Sequence, residues 1–119
     1  MSKELAEILQ RLKMCLREIY GDRLVQMVLF GSQARGEAST DSDIDVLVVL
    51  KGNVNPGEEI KKTSDVVAEL SLEYDQVISR LFIDESRFNS YNSPLLQNIR
   101  REGIDLLLKA RQYETGDLC

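Results

Sequence analysis

The sequence predicts an α/β (α+β) fold in which a small mixed β-sheet packs against helices, as a single domain over residues 1–119. Apolar residues recur at helical spacing over residues 3–19 and predict a first helix. Two short segments, the mostly apolar residues 24–30 and residues 43–50, which are apolar after two acids, have the length and composition of buried strands. With 43% hydrophobic and 29% charged residues, the chain is suited to a globular fold with a charged surface.

Local signals place the remaining elements in order along the chain. Gly21 is suited to end the first helix, and residues 33–40 are expected to hold a short helical turn followed by a loop. Three further elements are predicted: a helix over 58–71, a strand over 74–83, and a short helix from Ser93 and Pro94 to Gly103. Residues 104–112 fit a strand or a helix, and the tail after them is expected to fray.

The chain contains no histidine. This absence excludes catalytic triads built on histidine, zinc sites with histidine ligands, and an imidazole general base. Catalysis by this chain must therefore use carboxylates, hydroxyls, cationic side chains or a bound metal.

Charge and hydropathy argue against general nucleic-acid binding and against a membrane span, although a local basic patch in the C-terminal third stays open. A net charge of −5 makes the chain a poor general binder of nucleic acid, because phosphate backbones must be neutralised by Lys and Arg. The longest apolar run has five residues, Val46–Leu50, and is too short to cross a bilayer. Since the N-terminus carries no signal-peptide pattern, we expect a cytoplasmic protein.

The pair Gly31-Ser32 directly follows the first predicted strand. A glycine at a strand end lets a ligand approach the backbone closely. Ser32 adds a hydroxyl and an N–H at the start of a predicted helical turn, where free N–H groups favour phosphate. Taken alone, the pair also fits an ordinary turn.

Asp43 and Asp45 stand one residue apart at the start of the second predicted strand. Alternate strand residues share a face, so both carboxylates are expected on one side, with Ile44 and Val46 directed into the core. Two neighbouring carboxylates repel each other, and a divalent cation removes that repulsion. Hard oxygen ligands of this kind suit Mg²⁺. The alternative is a pair of acids at an exposed strand end.

The combination of the two pairs is more specific than either pair. Gly-Ser, ten residues, and then Asp-Ile-Asp leading into Val-Leu-Val-Val-Leu resembles the signature of the DNA polymerase β-like nucleotidyltransferase superfamily. The extended form Gly-Ser-Gln-Ala-Arg-Gly resembles its minimal nucleotidyltransferase (MNT) branch. The resemblance is close over residues 24–50 and looser over 58–83, and it implies the polymerase β-like nucleotidyltransferase fold.

The resemblance also implies a chemistry and its residues. Gly31 and Ser32 would hold the triphosphate of ATP, and Asp43 and Asp45 would ligate Mg²⁺. A third carboxylate on a later strand would complete the metal site and accept the proton of the attacking hydroxyl. The reaction is in-line transfer of a nucleotidyl group with release of pyrophosphate, in which two metal ions steady the attacking and leaving oxygens.

The third carboxylate is where the sequence departs from the family pattern. The third predicted strand carries acids only at its ends, with Ser79 and Arg80 in its middle. We expect Asp75 to be the third ligand, on the same face as Ser79, and Asp84 is the second candidate. If neither acid reaches the metal, the result is a two-acid site that binds nucleotide and transfers it slowly.

Arg35 lies one helical step from Ser32. It is expected to reach the triphosphate or a partner molecule. The competing interpretation is a salt bridge to Glu37 or Asp41.

The chain is expected to lack a domain that holds the acceptor, so a second copy or another protein would have to complete the site. Stand-alone MNT proteins resemble the antitoxins of HEPN/MNT toxin–antitoxin systems. There the MNT protein binds a HEPN-domain ribonuclease and transfers AMP from ATP to a toxin tyrosine. The alternatives are an antibiotic-like small-molecule nucleotidyltransferase and an antitoxin that neutralises its partner by binding alone.

Overall fold

A four-stranded mixed sheet forms the centre of the structure, a computed structural model that describes residues 1–37 and 42–107. The strands are β1 (Leu24–Phe30), β2 (Ile44–Leu50), β3 (Ile78–Asp84) and β4 (Ile104–Asp105), in the spatial order β3-β2-β1-β4. Strand β1 is antiparallel to both of its neighbours, whereas β2 and β3 are parallel. The predicted mixed α+β class is confirmed.

Five helices occur in the described ranges: α1 (Lys3–Tyr20), α2 (Gly31–Arg35), α3 (Pro56–Tyr74), α4 (Glu85–Ser90) and α5 (Pro94–Glu102). Parallel strands need a long crossover connection, which α3 supplies between β2 and β3. The predicted start of α5 is confirmed, because the Ser93 side chain accepts a hydrogen bond from the Leu96 N–H at 3.2 Å and Pro94 is the first helical residue.

Helices α1 and α3 cover one face of the sheet and enclose the main core. Strand β2 directs Ile44, Val46 and Val48 into this core, and all three are at most 1% exposed. The predicted inward orientation of Ile44 and Val46 is therefore confirmed. Burying one such side chain stabilises the fold by roughly 1.5–3 kcal/mol, so this face supplies much of the stability.

Helices α4 and α5 cover only part of the opposite face. Phe88, Leu96 and Ile99 pack there against Leu47 and Val49, and together they form a second, smaller core. At the start of β2, the same face carries the partly exposed Asp45 and the exposed Ser79 of β3. This end of the sheet is thus open to solvent.

The predicted boundary between the second long helix and the third strand is wrong. Helix α3 continues to Tyr74, and β3 begins only at Ile78. The Tyr74 hydroxyl donates a hydrogen bond to Glu7 at 2.6 Å and accepts one from Arg11 at 3.2 Å, which anchors the last turn of α3 to α1. Tertiary contacts of this kind override a local strand preference.

Helix α4 is absent from the sequence-based prediction. Asp84 caps its N-terminus by accepting a hydrogen bond from the Arg87 N–H at 2.7 Å. Within the ambiguous stretch 104–112, Ile104 and Asp105 form a short strand beside β1. The predicted loop at 38–40 and the tail from residue 108 lie outside the described residues.

In the ranges 1–37 and 42–107, no helix is both long and apolar enough to cross a membrane.

Lys13 provides a test of the packing around α1. Its side chain is 1% exposed, and its Nζ has no hydrogen-bond partner among the described residues. We expect Lys13→Met to raise the free energy of unfolding by about 1–2 kcal/mol at neutral pH, measured by urea denaturation. Lys3→Met, at an exposed position of the same helix, is the control and should change stability little.

The same variant should show a pH dependence of known sign. Burial lowers the pKa of the Lys13 amine below its ordinary value of 10.5, and the charge of Arg17 lowers it further. The folded state therefore binds this proton less tightly than the unfolded state, so wild-type stability rises as the pH approaches 10.5. The advantage of methionine should shrink over that window, and an advantage that grows with pH would contradict the assignment.

Candidate active site

The antiparallel pairing of β1 with β2 brings the two sequence motifs together. Phe30, the last residue of β1, is the register partner of Asp45 near the start of β2. Gly31 follows Phe30 and therefore emerges beside the Asp45 side chain. The ten residues between Ser32 and Asp43 span this return of the chain from one strand to its neighbour.

Gly31 lies in contact with the carboxylate of Asp45. Its φ of +75° is in the left-handed region, which favours glycine. A Cβ built at this position would lie 2.6 Å from Asp45 Oδ2, which is closer than a real side chain allows. Both the backbone conformation and the space therefore require glycine.

Helix α2 begins at Gly31, so Ser32 lies in its first turn. The N–H groups of a first turn have no partner within the helix, and Phe30 at the N-cap position makes no side-chain capping bond. The Ser32 hydroxyl and these N–H groups are suited to phosphate oxygens. The predicted helical turn is confirmed, and it starts two residues earlier than predicted.

Gln33 connects α2 to the acidic segment. Its Nε2 donates a hydrogen bond to the Ser42 carbonyl oxygen at 3.1 Å, directly before Asp43. This side chain therefore helps to hold the Gly31-Ser32 turn against the start of β2. Sequence reasoning missed Gln33, because a contact between residues nine positions apart leaves no local pattern.

The charged form of Asp45 is disfavoured by partial burial and by the negative charge of Asp43. Asp43 is exposed and Asp45 partly buried, whereas Ile44 between them is 1% exposed. Burial raises the pKa of the Asp45 carboxyl above its usual range, and the negative charge of Asp43 raises it further. A divalent cation would offset both effects, and carboxylate oxygens are ligands that Mg²⁺ prefers. The donor set therefore fits a magnesium ion.

Neither candidate for a third acid joins this pair. Asp75 does not lie on a strand: it ends α3 with a left-handed backbone (φ 53°) and is exposed. Asp84 pairs with Leu50, five positions along the sheet from Asp45, which is roughly 16 Å at the rise of a strand. Among the described residues, no group of three potential metal ligands forms.

The residue beside Asp45 on the third strand is Ser79. The two are register partners in the parallel pair of β2 and β3, so their side chains share the open face. The predicted position of Asp75 on the face of Ser79 is wrong, because Asp75 caps the C-terminus of α3 and β3 begins only at Ile78. Only the strand register, which depends on where α3 ends, identifies Ser79 as the neighbour.

Arg35 is paired with acidic side chains. Its Nε lies 3.0 Å from Glu37 Oε2, and its Nη1 lies 3.6 Å from Glu102 Oε2 of α5. The competing interpretation, a salt bridge to Glu37, describes this arrangement, whereas Asp41 lies outside the described residues. Both ion pairs are largely exposed, so they hold Arg35 weakly and leave it able to exchange one anionic partner for another.

The close approach of Gly31 to Asp45 can be tested by adding one methyl group. Gly31→Ala must displace the Asp45 carboxylate as well as strain the backbone. We expect the affinity for Mg²⁺–AMP-PNP, a non-hydrolysable ATP analogue, to fall by about tenfold or more, measured by isothermal titration calorimetry.

Gly36→Ala is the matched control. Gly36 has nearly the same φ, +73°, but a Cβ there would meet nothing within 4 Å. It should lose about 1 kcal/mol of stability from backbone strain and keep its affinity for the analogue. Equal losses of affinity in the two variants would show that contact with Asp45 is not what Gly31 provides.

Comparison with known proteins identifies relatives over most of the chain. Residues 9–106 match the family model described as "Nucleotidyltransferase domain". A Methanocaldococcus jannaschii protein named "Putative protein adenylyltransferase MJ0141" is 33% identical over 103 residues, which are 87% of this chain and 99% of the relative. A second protein of that organism, "Putative protein adenylyltransferase MJ0604", is 35% identical over 89 residues, or 74% of this chain and 83% of the relative.

Solved structures share the fold. A chain in the crystal structure of a toxin–antitoxin complex with AMP-PNP superposes with a TM-score of 0.58 at 21% identity. The match covers 82% of this chain and 71% of that one. With the open end of the sheet carrying Gly31, Ser32, Asp43 and Asp45, and with relatives matching over most of its length, the chain belongs to the nucleotidyltransferase domain family.

Proposed function

We propose that this chain is a magnesium-dependent protein adenylyltransferase that moves AMP from ATP to a hydroxyl of a partner protein. The observation that carries the proposal is the convergence of the Gly31 backbone, the first turn of α2 and the Asp45 carboxylate at one point. The relatives' names, which specify protein adenylyltransferases, support the same nucleotide and the same class of acceptor. Since ATP is the donor, we place the reaction in the cytoplasm.

The donor side of the site follows from these residues. The first-turn N–H groups of α2 and the Ser32 hydroxyl would bind the triphosphate oxygens, and Arg35 would add a positive charge on leaving Glu37. Asp43 and Asp45 would hold Mg²⁺. When bound, this ion would neutralise charge on the triphosphate and orient it for in-line attack.

The proposed transfer balances without a further reactant. The acceptor oxygen forms a bond to the α-phosphorus of ATP, and the bond from that phosphorus to the bridging oxygen of the β-phosphate breaks. Pyrophosphate leaves with the electron pair of the broken bond. The hydroxyl proton passes to solvent, and AMP stays on the acceptor as a phosphodiester.

The site offers few groups that could act as a general base, which favours a tyrosine acceptor. The chain has no histidine, and its described part brings no third acid to Asp43 and Asp45. A phenol, with a pKa near 10, gives up its proton more readily than the hydroxyl of serine or threonine. A site with little base strength therefore suits tyrosine best.

We infer that the acceptor tyrosine belongs to a HEPN-domain toxin and that this chain is the antitoxin. The Gly-Ser-Gln-Ala-Arg-Gly motif at residues 31–36 supports the MNT assignment. Structures of toxin–antitoxin complexes are among those with the same fold, which is consistent with this role. No described feature favours a small-molecule acceptor.

An antitoxin that acts by binding alone is the second candidate. The observation that favours it is Ser79, which occupies the strand position beside Asp45 where an acid could have completed the metal site. In this alternative the chain still binds Mg²⁺–ATP, and contact with the toxin is sufficient to neutralise it.

If AMP is transferred, the partner protein should be labelled only by ATP that carries the label on its α-phosphate. A HEPN-domain partner incubated with the chain, Mg²⁺ and ATP should acquire label from the α-phosphate and none from the γ-phosphate. Asp43→Asn and Asp45→Asn should each lower the rate by roughly a hundredfold or more, because each removes a metal ligand. Neutralisation of the toxin without any α-label would favour the binding-only alternative.

Asp75→Asn separates a two-acid site from a three-acid site. Asp75 lies at the exposed end of α3, so we expect the variant to keep the transfer rate within about threefold, less than 1 kcal/mol. Circular dichroism of all three Asp→Asn variants controls for folding. A loss as large as that of Asp45→Asn would show that Asp75 reaches the metal.

A further inference from the structure

We propose that Val77, directly before β3, and Leu81 of β3, which lie on either side of Ser79, form the surface that receives the acceptor segment of the partner protein. This acceptor strip rests on the proposed function and specifies its substrate. It predicts that the modified tyrosine is flanked by apolar side chains, which pack on Val77 and Leu81.

The strand register places the strip at the site. Ser79 is the register partner of Asp45, and Leu81 is the partner of Leu47. The carbonyl of Val77 accepts a hydrogen bond from the Ile44 N–H at 2.9 Å, which continues the same pairing toward Asp43. Alternate residues share a face, so Val77, Ser79 and Leu81 line the open face beside the acids.

The two apolar residues of the strip are exposed, although helices α4 and α5 bury the neighbouring apolar residues of the same sheet face. Val77 is 60% exposed and Leu81 is 44% exposed, whereas Leu47, the neighbour of Leu81, is 2% exposed beneath α4 and α5. These helices therefore cover the face as far as Leu47 and leave the strip open. Val77 and Leu81 belong to neither core of the described chain.

The opposite face of the same strand has its own partners. Ile78 is 5% exposed within the main core. Arg80 crosses to α3, where its Nε donates to Thr63 Oγ1 at 2.7 Å and its Nη2 donates to the Ile60 carbonyl at 2.9 Å. These contacts fix β3 from behind, so the strip is presented on a rigid strand.

The position of the strip determines its occupant. In-line transfer requires the acceptor oxygen to reach the phosphate held between Gly31 and Asp45, and β3 is the outer strand on that side of the described sheet. A protein segment that delivers its tyrosine from this side crosses β3. Val77 and Leu81 lie about 13 Å apart, the length of a short extended segment centred on the tyrosine.

The test compares AMP transfer by strip variants and by a control at an equally apolar position. Val77→Thr with Leu81→Thr places a β-branched residue, which suits an extended backbone, at both positions and removes the apolar surface. Leu72→Gln, at the 84% exposed Leu72 of α3, is the control. The probe is a HEPN-domain partner, and the readouts are KM for that protein, kcat, affinity for Mg²⁺–AMP-PNP, and Tm.

We expect the Thr variant to raise KM for the partner by about tenfold or more, with analogue affinity unchanged. Leu72→Gln should leave KM for the partner unchanged. The single variant Leu81→Met, which stays apolar, should keep KM close to the wild-type value. An unchanged KM in the Thr variant would overturn the strip. A loss of analogue affinity equal to the rise in KM would overturn it too, since these residues would then serve the nucleotide.

Failure of the proposed function gives a different result. If the wild-type chain binds the partner but transfers no AMP, the enzymatic assignment fails, and the partner's dissociation constant takes the place of KM. The strip then stands if the Thr variant weakens binding about tenfold and is overturned if binding is unchanged. A wild-type chain that neither binds nor modifies the partner overturns both proposals.

Discussion

The contact between the Gly31 backbone and the Asp45 carboxylate is the constraint on which the rest of the site depends. It requires a residue without a side chain at the end of β1, and it requires β1 and β2 to be antiparallel neighbours in one register. A shift of one residue would turn Asp45 into the core and Ile44 out to solvent. Because Ile44, Val46 and Val48 bury their side chains behind the sheet, the core that stabilises the fold also fixes this register.

One face of the sheet is covered by helices and stabilises the fold, whereas the open end of the other face carries the candidate catalytic residues. Helices α1 and α3 close one face over its whole length, whereas α4 and α5 stop short on the other. Asp43 and Asp45 lie at the open end, where burial and mutual repulsion raise the pKa of Asp45 and disfavour its charged form. Such a local cost is typical of functional sites, and a bound cation would remove it. The acceptor strip of Val77 and Leu81 lies at the same end, so the proposed donor and acceptor sides meet there.

The sequence predicted those parts of the site whose geometry is local. Gly31-Ser32 and Asp43-x-Asp45 each lie at the end of one strand, and alternation within a strand was enough to orient the two acids. The third strand could not be placed in this way, because its register depends on where α3 ends. That end is set by the bonds of Tyr74 to Glu7 and Arg11, more than sixty residues away. For the same reason Ser79, Gln33 and the pairing of Arg35 with Glu102 emerge only from the fold.

The most direct test of this account is a crystal structure of the chain with AMP-PNP and Mn²⁺, a stand-in for Mg²⁺ with an anomalous signal. We expect manganese bound by the Asp43 and Asp45 carboxylates, with the triphosphate against the backbone N–H groups of Gly31 and Ser32. A cleft at the far end of the sheet, lined by Arg17, Lys51, Asp22 and Glu85 among others, offers a competing location. Nucleotide bound in that cleft, with no metal at Asp43 and Asp45, would contradict the account.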